Sequence, residues 1–416
     1  MSENGSEDLH PHDEGQRSYV LVTGANSGLG FSICERLIDD FIATKPSYQS
    51  LTLIITTRDA NKSSQTVARL QRNVNRKSAQ LESPLSTRIT IQPERVDLTS
   101  LKSVYVLASN LTSKIPQLDS IILNAGIGAV TGLNWPKASW EVLTNTVNGT
   151  TYPTYKITSI GDLTESQEAI DGTLEDEEKE VPLGQIFASN VLGHYILTHL
   201  LFPILSAAPE GGRIIFISSL EAYAHAFSLD DFQGLQTAKS YESSKRLADL
   251  LVLTSDLSST SPFTTRFLAP PASNPLKGIQ LHDNAPSSSS SSDRGIELAD
   301  HTNSYPAMPS KPALYVAHPG ICQTSFVPMP AILVFFASLA FYLARLLGSP
   351  WHTVSSYKGA VAPVWLALAS RDEIDDLETE GGKGKWGSGC DWLGREKVVR
   401  TGVKGWGVGG RIGEGG

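Results

Sequence analysis

A tyrosine and a lysine four residues apart form the pair in this chain best suited to acid–base chemistry. Tyr241 and Lys245 stand in the sequence YESSK, and on a helix this spacing puts both side chains on one face. A free tyrosine, with a pKa near ~10, gives up its proton poorly at neutral pH. A neighbouring ammonium and a positively charged cofactor ring would stabilise the phenolate and lower that pKa. The pair could therefore give a proton to a carbonyl oxygen as hydride arrives at carbon.

Two further polar residues could complete such a site. Ser219 follows the apolar run Arg213–Ile217 and precedes Tyr241 by 22 residues. A hydroxyl there can hydrogen-bond the substrate oxygen as negative charge develops, and whether Ser218 or Ser219 faces the site is open. Asn190 lies inside a predicted helix, where an asparagine either diverts its backbone to hold a water molecule or is a satisfied buried polar group.

A glycine-rich turn near the N-terminus is the strongest signal for a bound nucleotide. The sequence TGANSGLG, residues 23–30, directly follows the apolar run 19–22 and precedes a helical pattern over 31–42. Glycines in this context permit a tight turn and let the backbone approach a pyrophosphate, which the helix N-terminus attracts. The predicted contacts are Gly24, Ser27, Gly28, Leu29 and Gly30.

The end of the second predicted strand bears on the choice of dinucleotide. An acidic residue there would hydrogen-bond the ribose 2′-hydroxyl, whereas an arginine would pair with a 2′-phosphate. Here the strand is followed by Thr57, Arg58 and Asp59, so a threonine occupies the position expected for the acid. We therefore predict NADP(H) rather than NAD(H), with Arg58 as the contact to the phosphate.

Later strand ends supply the remaining predicted contacts. Asp97 either accepts a hydrogen bond from the adenine amino group or caps a helix. Asn124, in the sequence NAG, either contacts the cofactor or ties adjacent strands together. His318 begins the turn HPG and is expected to be structural, and Thr324, four residues after Gly320, is expected to contact the cofactor.

These residues need an alternating series of strands and helices to bring them together. Helical patterns fill most intervals between apolar, β-branched runs, notably 98–113, 185–206 and 241–257. The predicted strands are 19–22, 51–56, 89–96, 120–123, 213–217 and 313–317, the third weakened by an internal proline. Apolar strands that alternate with helices favour a parallel sheet covered on both faces. The predicted fold is a single α/β domain with a Rossmann-like, doubly wound parallel sheet.

Composition marks out the segments around this domain. Residues 1–17 of the 416 are polar and acidic, and we predict a disordered tail rather than a targeting peptide. The nucleotide-binding domain is expected over 18–330, with inserted loops at about 143–181 and 262–311. The first is acidic in its second half, and the second is rich in Pro and Ser. Residues 348–416 are expected to form a substrate-side extension that ends in an irregular, Gly-rich tail.

Charge and cysteine content exclude several classes of protein. A balance of 34 basic against 43 acidic residues gives a net charge of -9, which argues against nucleic acid as a partner. The cysteines Cys34, Cys322 and Cys390 are far apart and odd in number, so no disulfide framework follows, and a reducing cytosolic setting fits them. We predict no metal site, because no His/Cys/carboxylate cluster has ligand spacing.

An apolar segment follows the predicted domain. Residues 331–344 carry no charge, and as a helix they would span ~21 Å at about 1.5 Å per residue. The hydrocarbon core of a bilayer needs ~30 Å. A buried core helix, an interfacial helix and a full span all remain open, and we predict a membrane-associating helix over 331–347.

Taken in order, these motifs resemble the short-chain dehydrogenase/reductase family over roughly residues 18–330. The resemblance is carried by TGANSGLG, NAG, Asn190, SS, YESSK and PG with Thr324. Two features depart from the family pattern. The interval from serine to tyrosine is longer than usual, and the insertion at 143–181 precedes Asn190.

This resemblance implies a catalytic tetrad of Asn190, Ser219, Tyr241 and Lys245. In that scheme Ser219 polarises the substrate carbonyl and Tyr241 donates the proton. Lys245 lowers the tyrosine pKa and binds the cofactor ribose. Asn190 anchors a water relay that reprotonates the lysine.

The C-terminal part is similar to the fungal 3-ketosteroid reductases. The similarity rests on SPWHTVSSYKG at 349–359, PVWLAL at 363–368, KWG at 385–387 and the apolar segment before them. It implies NADPH-dependent reduction of the 3-ketone of a sterol intermediate to the 3β-alcohol during C4 demethylation in ergosterol biosynthesis. A 4-methyl-3-keto sterol such as a zymosterone would be the substrate. It also implies a place on the endoplasmic reticulum membrane or lipid droplets, with the catalytic domain facing the cytosol and other C4-demethylation enzymes as partners.

Two other functions fit part of the pattern. One is a membrane-associated short-chain dehydrogenase that acts on retinoids or on a 17-keto position. The other is a non-catalytic NADP(H)-binding scaffold, although such scaffolds typically lack the tyrosine or the lysine.

Overall fold

An eight-stranded sheet forms the centre of the computed structural model, which describes residues 17–168, 181–270, 310–323 and 330–406. Its strands are β1 (Arg17–Val22), β2 (Ser50–Thr57), β3 (Ile89–Arg95), β4 (Ser120–Leu123), β7 (Arg213–Ile217), β8 (Ala313–His318), β9 (Lys385–Cys390) and β10 (Glu396–Thr401). A separate hairpin pairs β5 (Val130–Leu133) with β6 (Lys156–Thr158). The order in the large sheet is β10-β9-β8-β7-β4-β1-β2-β3. Neighbouring strands in it are parallel apart from the antiparallel pair β9 and β10.

Helices cover both faces of this sheet. They are α1 (Gly28–Thr44), α2 (Ala60–Leu81), α3 (Leu101–Lys114), α4 (Trp135–Thr144), α5 (Thr146–Thr151), α6 (Gln185–Phe187), α7 (Gly193–Leu200), α8 (Phe202–Ser206), α9 (Ser240–Leu253), α10 (Ser261–Phe267), α11 (Ala331–Leu346), α12 (Ser356–Gly359), α13 (Val361–Leu368) and α14 (Arg371–Gly381). Successive strand residues point to opposite faces, so Leu53 belongs to the core that contains residues of α1, α2 and α13, whereas Ile54 belongs to the core that contains residues of α3, α7 and α9. Two hydrophobic cores follow, one on each face, as the doubly wound prediction requires.

The six strands predicted from apolar runs are all present, and the parallel, doubly wound fold is confirmed. The strand β3, which contains Pro93, lies at the edge of the sheet. An edge is where proline is tolerated, because its missing N–H need not serve a neighbour on both sides.

Two segments differ from the sequence expectation. The described part of the 143–181 insertion is not simply a loop, since it contributes α5 and β6. The C-terminal extension is not irregular throughout, because β9 and β10 extend the main sheet. The strand β9 was not predicted because it contains glycines, which are uncommon in strands. At Gly387, however, a Cβ would stand 2.5 Å from Nε2 of His318. Glycine is therefore what lets β9 pack against the end of β8.

Several predicted segments fall wholly or partly outside the described residues. These are the acidic tail over 1–16, the acidic stretch 169–180, the Ser-rich stretch 271–309 and the last part of the Gly-rich tail, 407–416. The start of the second predicted insertion is helical, because α10 covers Ser261–Phe267.

Helix α11 occupies most of the predicted apolar segment. The exposed side chains include Ile332, Phe335 and Leu339, each at 57% exposure or more, so it is not a buried core helix. In the described part of the chain, no helix combines the length and the apolar character that crossing a membrane requires. The end of the helix is anchored by Arg345, whose guanidinium donates to the backbone oxygens of His352 and Thr353 at 2.8 and 2.7 Å.

Candidate active site

A cavity of about 670 Å³ opens at the carboxyl ends of the central parallel strands. In doubly wound sheets this edge, where the strand order reverses, is the usual place for ligands. The lining runs from the glycine-rich turn after β1, past the ends of β2, β3 and β4, to Tyr241 and α11. The residues predicted to bind a nucleotide and the predicted acid–base pair therefore line the same cavity.

The glycine-rich turn has the geometry of a phosphate cradle. Gly24 has φ +69°, and a Cβ there would stand 2.8 Å from Cα of Ala125. A Cβ at Gly30 would stand 2.1 Å from the backbone oxygen of Gly24. Ser27 is the N-cap of α1 and makes no capping hydrogen bond, which leaves first-turn N–H groups without a capping side chain. Gly24, Ser27, Gly28, Leu29 and Gly30 all line the cavity, and this cradle fits a dinucleotide pyrophosphate.

Asn124 ties the turn to the neighbouring strand. Its Nδ2 donates to the backbone oxygens of Thr23 at 2.9 Å and Gly24 at 3.3 Å, and its backbone N–H donates to Oγ1 of Thr23 at 2.9 Å. Behind them, Nε2 of His194 hydrogen-bonds Oγ1 of Thr23 at 2.9 Å. Burial lowers the pKa of His194 to about 3, so this ring is neutral. Of the two roles left open for Asn124, the strand tie is present, and Asn124 also lines the cavity.

The end of β2 places one cation at the cavity. Arg58 is exposed and lines the cavity. The side chain of Asp59 instead caps α2 by accepting the N–H of Lys62 at 2.8 Å. Thr57 is buried, and its hydroxyl donates to the backbone oxygen of Asp59 at 2.8 Å. Asp59, the acidic residue that could hydrogen-bond a ribose 2′-hydroxyl, is therefore engaged as the cap of α2.

Asp97 lines the same end of the cavity without being the helix N-cap. Its Oδ1 accepts the N–H and the hydroxyl of Thr99 at 2.9 and 2.7 Å. The N-cap of α3 is Ser100, whose side chain accepts the N–H of Ser103. Contact between Asp97 and adenine stays a prediction.

The turn after β7 decides which serine faces the tyrosine. The side chain of Ser219 hydrogen-bonds the Tyr241 hydroxyl, and both residues line the cavity. Ser218 is buried, and its hydroxyl donates to the backbone oxygen of Lys245 at 3.4 Å. The structure thus brings Ser219, rather than Ser218, together with Tyr241.

Lys245 lies one helical turn after the tyrosine, as the spacing predicts. Its Nζ donates to the backbone oxygen of Ile217 at 2.7 Å and lies 5.5 Å from the Tyr241 ring centroid. Burial lowers the pKa of Lys245 to about 8, while the carboxylate of Asp249 acts in the opposite direction.

The surroundings of Tyr241 bear on its predicted role as a proton donor. We expect Lys245 and a positively charged cofactor ring together to lower the tyrosine pKa. In the protein alone, burial raises the pKa of Tyr241 well above its ordinary value, and the carboxylate of Glu221 raises it further. The hydrogen bond from Ser219 acts in the lowering direction. The lowering of the tyrosine pKa by Lys245 together with a positively charged cofactor ring stays a prediction.

Asn190 lies in a π-helical turn, Ala188–Leu192, between α6 and α7. Its Oδ1 accepts the N–H of Ile127 at 2.8 Å, and its Nδ2 donates to the backbone oxygen of Ile127 at 2.9 Å and to Ser244 at 3.0 Å. The backbone thus leaves α-helical geometry here, and the buried amide is satisfied by hydrogen bonds within the protein. A water relay through Asn190 stays a prediction.

A buried charged pair behind the site was not found from the sequence. Lys385, the first residue of β9, places Nζ 2.7 Å from Oδ2 of Asp249 and 2.6 Å from the backbone oxygen of Ser219. It holds the strand end that carries the serine. The sequence KWG at 385–387 offered no local signal for this role, because the partners lie 136 and 166 residues away.

The turn after β8 behaves as expected at His318. Its Nδ1 accepts the N–H of Gly320 at 3.1 Å, and its Nε2 shares a hydrogen bond of 2.6 Å with Thr401. This buried ring therefore joins β8 to β10 and is structural. Thr324 lies outside the described residues.

One face of α11 forms an apolar wall of the cavity. Val334, Ala337 and Phe341 line it at helical spacing. Other residues of the helix, among them Phe335 and Leu339, are exposed. The same helix therefore contacts the cavity on one side and solvent on the other.

A doubly wound sheet with a phosphate cradle after β1 and a Ser219–Tyr241–Lys245 group at the same edge defines a short-chain dehydrogenase/reductase, which is an oxidoreductase acting on a hydroxyl or a ketone. That class uses a nicotinamide dinucleotide, and the cradle at Gly24 and Gly30 fits one.

Comparison with known proteins narrows the class. The chain is 44% identical to 3-keto-steroid reductase erg27 of Aspergillus fumigatus, over 97% of this chain and 85% of that protein. It is 35% identical to 3-keto-steroid reductase ERG27 of Gibberella zeae, over 95% and 83%. The Saccharomyces cerevisiae protein of the same name is 28% identical over 93% and 91%. The chain belongs to the fungal 3-keto-steroid reductase family.

Solved structures with a related fold are more distant. A short-chain type dehydrogenase/reductase from Mycobacterium ulcerans has a TM-score of 0.44 and 13% identity, over 85% of this chain and 83% of that one. A 7α-hydroxysteroid dehydrogenase has a TM-score of 0.42 and 15% identity, over 86% and 90%. No protein-family model matches the chain.

Proposed function

We propose that this protein reduces the 3-ketone of a 4-methyl sterol, such as a zymosterone, to the 3β-alcohol with NADPH. The observation that carries the proposal is one cavity lined both by Ser219 and Tyr241 and by the apolar wall of α11. A sterol ketone is almost wholly apolar apart from its oxygen, so it suits such a cavity. The names of the relatives, 3-keto-steroid reductase, agree with this substrate class.

In this proposal the protein places and protonates the ketone oxygen. A bound NADPH would supply the hydride. The Ser219 hydroxyl donates a hydrogen bond to the oxygen as negative charge develops there. Tyr241 donates its proton to the same oxygen, and the nearby Lys245 ammonium stabilises the phenolate that remains.

NADP(H) is proposed over NAD(H) because of the charges at the end of β2. Arg58 is exposed at the cavity, where it can pair with a 2′-phosphate. Asp59 would be the natural partner of a free 2′-hydroxyl, but its carboxylate caps α2.

The test is to follow NADPH oxidation with detergent-solubilised protein and a 4-methyl-3-keto sterol. Parallel reactions contain NADH, or all-trans retinal or a 17-ketosteroid in place of the sterol. We expect turnover of the sterol with NADPH, and about a 100-fold or greater loss for Tyr241→Phe. Turnover of retinal or the 17-ketosteroid but not of the sterol would refute the substrate, and NADP(H) binding without turnover of any substrate would indicate a scaffold.

The proposal includes a membrane or lipid-droplet surface of the endoplasmic reticulum as the place of action, with the catalytic domain on the cytosolic side. It is supported by the exposed apolar residues of α11, Phe335 and Leu339 among them. A helix of this kind can lie in the interface with its apolar side in the acyl region. Flotation with phosphatidylcholine vesicles should recover the protein, and the Phe335→Asp/Leu339→Asp variant should float much less. Trp140→Asp is the matched control, since Trp140 is an exposed aromatic residue on α4. Equal flotation of all three proteins would refute this part.

A further inference from the structure

A charged pair stands beside Tyr241 that no sequence motif accounts for. Lys156 is the first residue of β6, and its Nζ lies 2.5 Å from Oε2 of Glu221. Only 16% of the Lys156 side chain and 11% of the Glu221 side chain are exposed, and both residues line the cavity. Enclosed ion pairs are costly to desolvate and are weak evidence for stability. Stability alone therefore does not explain a pair at this position.

The pair is directed at the catalytic tyrosine. Nζ of Lys156 lies 5.9 Å from the Tyr241 ring centroid, compared with 5.5 Å for Nζ of Lys245. Two ammonium groups therefore lie within 6 Å of the phenol ring centroid, one from α9 and one from the β5–β6 hairpin. Glu221 is also linked to the site through its backbone, because its N–H donates to Oγ of Ser219 at 3.1 Å.

Two hydrogen bonds hold the hairpin in place around Lys156. The N–H of Asn134 donates to the backbone oxygen of Tyr155 at 2.8 Å. The hydroxyl of Thr158 donates to the backbone oxygen of Ala238 at 2.6 Å, three residues before Tyr241. The inserted segment is thus attached on both sides of Lys156, once within the hairpin and once to the chain that leads into α9.

We propose that Lys156 is a positioning residue of the reductase centre, which compensates the charge of Glu221 and so keeps the potential at Tyr241 suited to proton transfer. The inference rests on the proposed function. Without Lys156, the Glu221 carboxylate would face the phenol unpaired, which favours the neutral phenol over the phenolate. The other titratable groups around Tyr241 and Glu221 are Lys245, Glu242, Cys322, Tyr155 and Tyr223.

The pH dependence of the reverse reaction tests this role. Oxidation of the 3β-sterol with NADP⁺ requires Tyr241 as a base, so the rate rises through the pKa of its hydroxyl. We expect Lys156→Met to move the midpoint up by about one pH unit, the size usual for one charge within 4–6 Å. Glu221→Gln should move it down. The double variant and Lys156→Arg should lie near the native midpoint. The matched control is Lys102→Met, which removes an exposed lysine that pairs with Glu168.

A merely structural role predicts a different result. Lys156→Met would then lower the rate at every pH without moving the midpoint, and that outcome would overturn the inference. If Lys156→Met does not fold, an unchanged midpoint for Glu221→Gln would overturn it equally.

A second readout separates this inference from the proposed function. The ultraviolet titration of Tyr241 is made with NADP⁺ bound, whose positive ring lowers the tyrosine pKa, and is obtained as the difference between each variant and the same variant carrying Tyr241→Phe. The phenol should ionise at higher pH in Lys156→Met than in the native protein and at lower pH in Glu221→Gln. If the variants ionise in this order but the native protein does not reduce the sterol, the proposed function is refuted and the electrostatic role of Lys156 is upheld. If the native protein reduces the sterol but the variants do not ionise in this order, the proposed function is upheld and the role of Lys156 is refuted.

Discussion

Removal of Lys385 should leave the buried carboxylate of Asp249, behind Ser219, without its paired ammonium. The side chains of Lys385 and Asp249 are 4% and 1% exposed, and their charged atoms lie 2.7 Å apart. In Lys385→Met the methylene stem is kept while Asp249 loses its cation. Breaking a buried pair in this way costs about 3–5 kcal/mol of unfolding free energy, because an uncompensated charge is left inside.

The assay is urea unfolding followed by tryptophan fluorescence and circular dichroism. Lys397→Met is the matched control, since Lys397 is exposed on the neighbouring strand β10. The double variant Asp249→Leu/Lys385→Met removes both charges, and we expect it to recover most of the loss. Such recovery would give a coupling energy of about 3 kcal/mol between the two sites.

Activity provides a second measure of the same change. The Lys385 ammonium also holds the backbone oxygen of Ser219 at 2.6 Å. We expect kcat to fall by about tenfold in both variants that lack Lys385, which corresponds to ~1.4 kcal/mol. A loss of stability below about 1 kcal/mol for Lys385→Met, or no recovery in the double variant, would refute the assignment of a buried, mutually compensating pair.

Three further predictions concern the cofactor end and the turn after β1. In steady-state kinetics, Arg58→Ala should raise the KM for NADPH about tenfold, as expected for loss of one phosphate contact worth ~1.4 kcal/mol. The KM for NADH should stay nearly unchanged. Equal effects on both cofactors would contradict the role of Arg58 at the 2′-phosphate. Gly30→Ala would place a Cβ 2.1 Å from the backbone oxygen of Gly24, so dinucleotide binding measured by fluorescence titration should be lost or severely weakened, and native affinity would show that the turn does not form the cradle. The pKa of His194 falls from 6.5 to about 3 through burial, so the unfolded state binds the proton more readily and stability should drop as the pH falls from 6.5 towards 3, by an amount on the order of 4 kcal/mol. In His194→Gln that part of the pH dependence of urea unfolding should disappear, and an unchanged dependence would assign it to other groups.

Much of the central sheet was predictable because its signals are local. An apolar strand such as Ser120–Leu123 is recognisable from its own residues, and a glycine-rich turn between strand and helix has few physical alternatives. The Tyr241–Lys245 pair was predictable for the same reason, since helical geometry alone puts i and i+4 on one face.

The strands β9 and β10 were not predictable from such signals. The sequence of β9, KWGSGC, has glycines where a strand usually has β-branched residues. Glycine is needed at 387 because His318 and Trp351 would collide with a Cβ there. The fit between two distant segments therefore overrides local preference.

The sequence by itself determined the fold class, the phosphate cradle and the acid–base pair, because each depends on residues within a few positions of one another. The tertiary structure alone decided that Ser219 rather than Ser218 faces Tyr241, since the direction of a side chain at a strand end follows from the backbone of the turn. It alone also paired Lys156 with Glu221 and Lys385 with Asp249, across 65 and 136 residues. No periodicity links residues so far apart, and only the packing of the β5–β6 hairpin and of β9 against the sheet brings these charges to the tyrosine and the serine.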